Sequence, residues 1–373
     1  MPQAVRVEAV DSKRDFSTFI KLPWRIYRKD PCWVPPLIMD QKNLLNTEKN
    51  PFFAHSEIRH FLARRDGQAV GRISAVIDCN YNDFQNEKTG FFGFFEAEND
   101  REAAAALIDT AGSWLKERGM ERVLGPANPS TNDTLGLLVD AFDQPPVLHM
   151  PYNPDYYSDL LEKAGCIKAK DLYAYYMEDI TPLAEKVRRV ADIIRRRNHI
   201  TIRSLNLKKL LDEIELVKVI YNDAWTPNWG FVPWTDEELE HLAQELKRAV
   251  IPELVLFAFV NGEPAGFSLS LPDLNQALIH TNGRLLPFGL LKILWHSRHI
   301  DLLRILALGV RRKFQNLGID AVFYYETYTR GTARGFHKGE CSWILEDNLN
   351  IRNTMENLGA RIYKTYRMYE RSL

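Results

Sequence analysis

Two stretches 195 positions apart read alike, and this internal repeat limits the folds open to the 373-residue chain more than any other feature. Val5 to Val10 alternates like a short strand, and Ile200 to Leu205 does the same. FLARRDGQAVG, from Phe61 to Gly71, reads as strand, Asp-Gly turn and strand; LFAFVNGEPAG, from Leu256 to Gly266, matches it with an Asn-Gly turn. Near the ends, LEKAGC (Leu161 to Cys166) and MENLGA (Met355 to Ala360) each read as a helix stopped by glycine, 194 positions apart. An aromatic strand follows both, DLYAYYME in the first half and YKTYRMYE in the second. The repeat implies duplication of a domain of about 180 residues, within the usual domain range. The expected domains are 1–180 and 200–373, joined by a helix over 181–199. On that helix Leu183, Val187, Val190, Ile193 and Ile194 are expected to share one face.

Each half maps alike. A strand is followed by helices with a Trp- and Pro-rich loop, CWVPPL at Cys32 to Leu37 and GFVPWT at Gly230 to Thr235. A hairpin and a further strand come next, GFFGFFEA at Gly90 to Ala97 and RILALGV at Arg304 to Val310. Then come a helix, a strand, a helix and a last strand. The first of these helices, Arg101 to Arg118, has Leu107, Ile108, Ala111, Trp114 and Leu115 on one face. The copies differ where each carries extra residues, around Asn128 to Asn153 in the first and Leu285 to Ile300 in the second.

Apolar residues at 45% and charged residues at 26% suit globular halves, each long enough to bury its own core. A net charge of −1 gives no basic footprint for nucleic acid. Cys32, Cys79, Cys166 and Cys341 are too widely spaced for a zinc clasp and read as reduced, packed thiols. The N-terminus lacks an apolar signal core, and the longest apolar stretch, Leu285 to Trp295, is interrupted by Lys292. A spanning helix needs roughly 18 apolar residues, so a cytoplasmic protein without a membrane span is expected. The Leu285 to Trp295 insertion is expected to be core filler or a homodimer contact, with a second reading as a cover for a cleft or a seat for a long apolar group.

LALGVRRKFQNLGIDAVFYYET, Leu306 to Thr327, carries the chemistry. A strand ends near Val310 and a helix begins near Gly318, with Arg311, Arg312 and Lys313 between them. A tight turn at a helix N-terminus presents backbone N–H groups and partial positive charge, a natural diphosphate seat. Val310, Phe314, Gln315, Gly318 and Ile319 match the pattern V-x-x-x-[YF]-[QR]-x-x-G-[IV]-[GA], and the segment resembles the GNAT superfamily of acyl-CoA N-acyltransferases. Asp320 departs from it, where a small residue is usual. The tail WILEDNLNIRNTMENLGARIY, Trp343 to Tyr363, is also similar to that family, with Asn348 eleven residues before Gly359. Met355 stands where a thiolate-protonating Tyr is common, and Ala360 replaces the usual Phe.

The resemblance implies an α+β (α/β) fold class of two tandem GNAT-like domains, each a mixed, mostly antiparallel sheet flanked by helices. It implies a cofactor, acetyl-CoA or another acyl-CoA, held by Leu308, Gly309, Val310, Arg311, Arg312, Gln315, Asn316, Leu317, Gly318, Ile319 and Asn348. Backbone N–H near Leu308 or Val310 would polarise the thioester carbonyl. Glu346 is the expected base and Tyr363 the expected acid, with Tyr366 beside it. Trp225, Trp229 and Trp234 would wall the acceptor, or pack as core. His280, placed on a strand beside the insertion, is a further base candidate. The first copy lacks the Gln-x-x-Gly loop; its Glu96, Glu98, Asn99 and Asp100 read as helix caps, so it is expected to hold no CoA. GPANPSTNDTLG, Gly125 to Gly136, and LHMPYNPDYY, Leu148 to Tyr157, read as surface loops or as a polar substrate pocket. The function implied is N-acyl transfer, by expectation N-acetyl transfer, to the primary amine of a small molecule or amino acid. A non-catalytic scaffold and an aminoacyl transferase using charged tRNA are the alternatives.

Overall fold

The structure, a computed structural model, describes residues 4–178, 181–247 and 249–373. The chain opens with β1 (Arg6–Ala9), α1 (Lys13–Lys21), the single turn α2 (Pro23–Ile26) and α3 (Ile38–Leu44). The hairpin β2 (Ser56–Arg65) and β3 (Gln68–Asp78) follows, then α4 (Cys79–Gln85), β4 (Thr89–Ala97), α5 (Arg101–Lys116) and β5 (Arg122–Gly125). The two-residue strands β6 (Ala127–Asn128), β7 (Thr134–Leu135) and β8 (Leu137–Leu138) lead to α6 (Tyr157–Lys163) and β9 (Ile167–Glu178). The second pass begins with α7 (Thr181–Arg197), β10 (Ile200–Ser204), α8 (Leu210–Trp225) and α9 (Asp236–Leu246). It continues through the hairpin β11 (Val255–Val260) and β12 (Glu263–Pro272), α10 (Asn275–Leu278), α11 (Gly289–His296) and β13 (Leu302–Val310). It closes with α12 (Ile319–Thr332), β14 (Lys338–Leu345), α13 (Leu349–Asn357) and β15 (Arg361–Ser372).

Two compact units result, and neither is a continuous half. One takes the residues up to Leu172 with Asn275–His296 and Lys364–Leu373; the other takes Tyr173–Leu274 and Ser297–Tyr363. Boundaries at 180 and 199 follow the repeat, whereas the units follow packing. So β9 and β15 each change unit within the strand, and the insertion before β13 is grouped with the first unit.

In the first unit the strand order is β1-β2-β3-β4-β5-β15. Only the β4–β5 pair in that order is parallel; the rest are antiparallel. The face of α5 anticipated from its spacing is the one that packs: Leu107, Ile108, Ala111 and Leu115 are buried against the sheet and Trp114 half-buried. Burying each large aliphatic side chain contributes about 1.5–3 kcal/mol. In the second unit the order is β10-β11-β12-β13-β14, with β9 on the far side of β14 and β13–β14 parallel. Each unit is thus a mixed, mostly antiparallel sheet flanked by helices.

The repeat extends to irregularities. The hairpin turns have Asp66 at φ 52° and Asn261 at φ 51°. The register slips after Ala63, opposite Gly71, in one copy, and after Ala258, opposite Gly266, in the other. All three pairs of positions keep the 195-residue offset.

Two expectations are corrected. On α7, Ala191 is buried and Ile194 half-buried, while Val190 and Ile193 are 42% and 65% exposed. The inward face is rotated from the expected one because Ile194 and Asn198 dock on the turn before α12. The Leu183 side chain lies outside the described residues. The apolar insertion is not core filler: Leu286, Leu290, Leu291, Leu294 and Trp295 are all more than half exposed.

Candidate active site

In the second unit β13 and β14 start as a parallel pair and then part. The ladder runs from Leu302–Lys338 to Ile305–Cys341 and stops, although β13 continues to Val310 and β14 to Leu345. One extra residue, Leu306, interrupts the β12–β13 register where the ladder ends. A bulge bends its strand and raises its twist, so β13 turns away from β14 and a fork opens toward the carboxyl ends of both.

The inner edge of β13 carries free donors by geometry. Arg311 N–H donates to Ala265 O on the β12 side at 2.8 Å. Backbone N–H direction alternates along a strand, so Gly309 faces β12 while Leu308 and Val310 turn their N–H groups into the fork. That is where a thioester carbonyl can be polarised.

Beyond the fork, the turn before α12 is shaped for an anion. Gly318 is the N-cap residue at φ 76°, and no side chain caps the helix. Ser12, Asp100, Thr235 and Asn348 cap their own helices, whereas α3, α6 and α8, like α12, have no side-chain cap. The first-turn N–H groups of α12 therefore remain donors for a diphosphate. Gln315 donates from Nε2 to Val310 O at 3.4 Å, tying the turn to the strand. Asn316, at φ 69°, and Leu317 complete it; Leu317 O accepts from Asn198. Ile319, the first helical residue, is buried.

The cations here are held by acids. The Arg312 guanidinium stands 3.8 Å from the Asp223 carboxylate, whose Oδ2 accepts from the Arg312 backbone N–H at 2.7 Å; Arg311 pairs with Glu263 at 3.1 Å, and Lys313 pairs with Glu263 as well. The Lys313 ammonium, and after it Arg311, keep the Glu263 carboxyl below its ordinary range. Gly318 also serves packing: an ideal Cβ there would stand 2.6 Å from Ile194 Cδ1.

Glu346 lies half-buried just past β14, at the open end of the fork, and its carbonyl accepts from Arg352 at 2.7 Å. Asn348 caps α13 through Ile351 N–H. Tyr363 is half-buried with its ring 5.5 Å from Tyr176. Tyr366 is fully buried on a part of β15 that belongs to the first unit. Met355 is fully buried among Tyr175, Cys341 and Ile344, so α13 turns that position into core. Trp225 stacks on Tyr221 at 4.8 Å and lies against Gly309; Trp229 and Trp234 are half-buried in the following loop.

His280 is corrected from a strand to a turn. β12 ends at Pro272 and α10 intervenes, so His280 sits in the segment grouped with the first unit, its ring stacked on His296 at 3.7 Å. Burial, then the neighbouring His296 and Lys292, lowers its pKa.

Sequence reading missed a buried ion pair at the closed end of the fork. Arg304 and Glu340 are register partners, 1% and 0% exposed, with Nε and Oε2 3.5 Å apart. Charged residues inside the apolar strands RILALGV and KGECSWIL were the available signal.

The first unit repeats the bulge and the fork, then fills it. The β4–β5 ladder stops at Phe91–Leu124, and β4 bulges around Phe94. Gly125 to Asn128 is neither surface loop nor pocket: an ideal Cβ on Gly93 would meet Ala127 O at 1.8 Å, and Asn128 Oδ1 accepts from Phe94 N–H. In the second unit only three residues, Glu346 to Asn348, join β14 to α13, too few to fold back in this way. Asp100 caps α5 through Ala103 N–H and pairs with Arg65. Glu96 caps nothing. It lies half-buried in β4, accepting from Tyr27 at 2.8 Å and Tyr157 at 2.7 Å, with Arg72 3.5 Å away. Burial pushes its pKa up, against Arg72 and the two phenols.

No family model matches the sequence. The chain is 38% identical over 374 aligned residues to bacterial ceramide synthase of Caulobacter vibrioides, covering 98% of this chain and 96% of that protein. The chain belongs to that family. Protein YghO of Escherichia coli K12 is a second relative, 34% identical over 97% of this chain and 94% of its own length. The tandem GNAT protein from the clavulanic acid biosynthesis pathway shares the fold over 99% of this chain and 98% of its own, with TM-score 0.58 and 11% identity. A GCN5-related N-acetyltransferase from Sphaerobacter thermophilus, at TM-score 0.54 and 13% identity, covers 100% of this chain and 96% of its own. This member of the ceramide synthase family is an acyltransferase of tandem GNAT fold. Among its described residues no helix is long and apolar enough to cross a membrane.

Proposed function

We propose that this acyltransferase joins a long acyl group, carried as its CoA thioester, to the amine of a long-chain amino alcohol. The observation that carries the reading is the 38% identity, over nearly the whole of both chains, to a protein named bacterial ceramide synthase. A ceramide is an amide between a fatty acid and such an amino alcohol, so its synthesis is N-acylation. The second unit's fork supports acyl-CoA as the donor. The uncapped first turn of α12, from Gly318 through Ile319, with Gln315, Asn316 and Leu317, would hold the diphosphate. Arg311 and Arg312 flank that turn, and Asn348 stands at the other arm of the fork.

Acyl-CoA supplies an activated carbonyl and a thiolate leaving group. The chain's own residues do the rest. Leu308 and Val310 N–H groups hold the carbonyl oxygen and stabilise negative charge as it grows there. Glu346, at the open end, removes the amine proton. Tyr363 returns a proton to the sulfur. Trp225 lines the β13 face beside the fork. We assign no nucleic-acid partner.

An acetyl group and a small water-soluble amine form the competing reading, and chain length separates the two. Incubating the protein with acetyl-CoA or palmitoyl-CoA, each with sphinganine or with a panel of amino acids, and detecting amides by mass spectrometry tests it. Palmitoyl-sphinganine as the main product supports the proposal. Acetylated amino acids alone overturn it.

A further inference from the structure

The segment Asn275–His296 has a property that the acyl-transfer site does not use. Its helix α11 is amphipathic the wrong way round for a surface helix. Leu290, Leu291, Leu294 and Trp295 are 52%, 63%, 55% and 63% exposed, and Leu286 and Phe288 before them are 79% and 66% exposed. Gly289, by contrast, is buried. Soluble proteins rarely leave so many neighbouring large apolar side chains in water, and such patches mark interaction sites.

The exposure is not that of a loose end. Trp24 donates from Nε1 to Asn282 Oδ1 at 3.1 Å, and Ile38 N–H donates to Gly283 O at 3.0 Å. Gly283 lies so close to the Trp24 ring that an ideal Cβ would stand 2.4 Å from it. Asn275 donates to Pro146 O at 2.9 Å. Within the tip, Leu290 N–H donates to Leu285 O at 2.9 Å, and Lys292 Nζ donates to His280 O at 3.0 Å. The first unit thus holds an apolar tip on an anchored base.

Charge selects the occupant. From Leu274 to Ile300 the sequence contains no Asp or Glu, while Arg284 precedes the apolar residues, Lys292 lies among them, and His296 and Arg298 follow Trp295. Lysine is depleted in protein interfaces, whereas cations, tryptophan and leucine together suit the boundary between lipid headgroups and acyl chains. An eight-residue helix is about 12 Å long, against a hydrocarbon core of about 30 Å, so it can lie in a leaflet and not cross it.

We infer that Arg284 to His296 docks this protein on the surface of an anionic phospholipid bilayer. Leu286, Phe288, Leu290, Leu291, Leu294 and Trp295 enter the headgroup–acyl boundary, and Arg284 and Lys292 meet the phosphates. The inference stands on this surface and not on the substrate assigned above; a bilayer-docked enzyme could acylate either class of amine.

The test is co-sedimentation of purified full-length protein with extruded vesicles of phosphatidylcholine, with and without phosphatidylglycerol, in the absence of any substrate. Binding to the anionic vesicles, weakened by salt, is expected. The Leu291→Asn/Leu294→Asn variant should lose at least roughly tenfold in partitioning, with an unchanged circular dichroism spectrum. Should that variant misfold, quenching of wild-type tryptophan fluorescence by brominated phosphatidylcholine, reduced in Trp295→Phe, reads the same contact. No binding by the wild type to either vesicle overturns the inference, as does undiminished binding by the folded variant. A wild-type dimer that the double substitution dissociates, without vesicle binding, assigns the patch to a second copy and overturns it as well.

Discussion

The indole of Trp225 lies directly against the backbone of Gly309: an ideal Cβ on that glycine would stand 1.9 Å from Trp225 Cζ3. The contact joins the end of α8 to β13, one residue from each of the two N–H groups that face the fork. In the first unit the equivalent position is Glu96, opposite Arg72 as Gly309 is opposite Phe267. One copy places an aromatic wall there and the other the Arg72–Glu96 ion pair.

Gly309→Ala should therefore expel Trp225. Overpacking of this kind costs about 1–3 kcal/mol, read as a lower urea midpoint with a changed tryptophan emission. Adding Trp225→Leu should recover part of the stability. A Gly309→Ala variant as stable as wild type, with unchanged emission, would show that the ring is not held there.

Gly318 is constrained twice. Its φ of 76° costs a side-chain-bearing residue about 1–2 kcal/mol, and its missing Cβ makes room for Ile194. Gly318→Ala should destabilise the protein on both counts, whereas in an Ile194→Ala background the same change should carry only the backbone cost. A double-mutant cycle by urea unfolding measures the difference. A coupling of zero would mean that α7 does not rest on this turn.

How far the sequence could be read depended on the range of the interaction. The hairpins were legible because Asp66-Gly67 and Asn261-Gly262 encode their turns locally. The strand, Gln315-x-x-Gly318 turn and helix were legible for the same reason, as was the α5 face. What was not legible depends on contacts distant in sequence. Nothing near Gly318 announces Ile194, and nothing near Gly309 announces Trp225. The plug of the first fork needs Ala127 against Gly93. Asp100 could be read as a cap because capping is local, whereas Glu96, four residues earlier, depends on Tyr27, Arg72 and Tyr157. The insertion Leu285 to Trp295 was legible as apolar, but its composition does not say whether it is covered.

His60 gives a pH dependence with a definite sign. Its ring contacts Ser74 Oγ at 2.8 Å; burial first, then the positive Arg72 and Arg59, lowers its pKa to about 4 from an ordinary 6.5. The folded state thus binds this proton less readily than the unfolded state. Its contribution to stability is complete above the unfolded pKa and is lost as pH falls from 6.5 toward 4, by about 3 kcal/mol. His60→Asn should flatten that part of the curve of unfolding free energy against pH. A wild-type curve already flat between those limits would remove His60 as a contributor.

The Arg304–Glu340 pair makes the sharpest demand on the fork. Neither side chain reaches solvent, and the two stand one register step before the last paired residues, Ile305 and Cys341. The Arg304 guanidinium also lies 5.3 Å from the Trp343 ring centroid, and its Nη2 donates to Ser342 O at 3.4 Å. Removing one partner leaves the other as a buried uncompensated charge, which costs about 3–5 kcal/mol, whereas replacing both with apolar residues of similar size is often neutral or stabilising. Glu340→Ala should therefore lower the unfolding free energy by that amount, and Arg304→Met/Glu340→Leu should restore it, both read by urea denaturation. If the double variant is as unstable as the single one, the pair is not the source of the loss, and the closed end of the fork is held by backbone pairing alone.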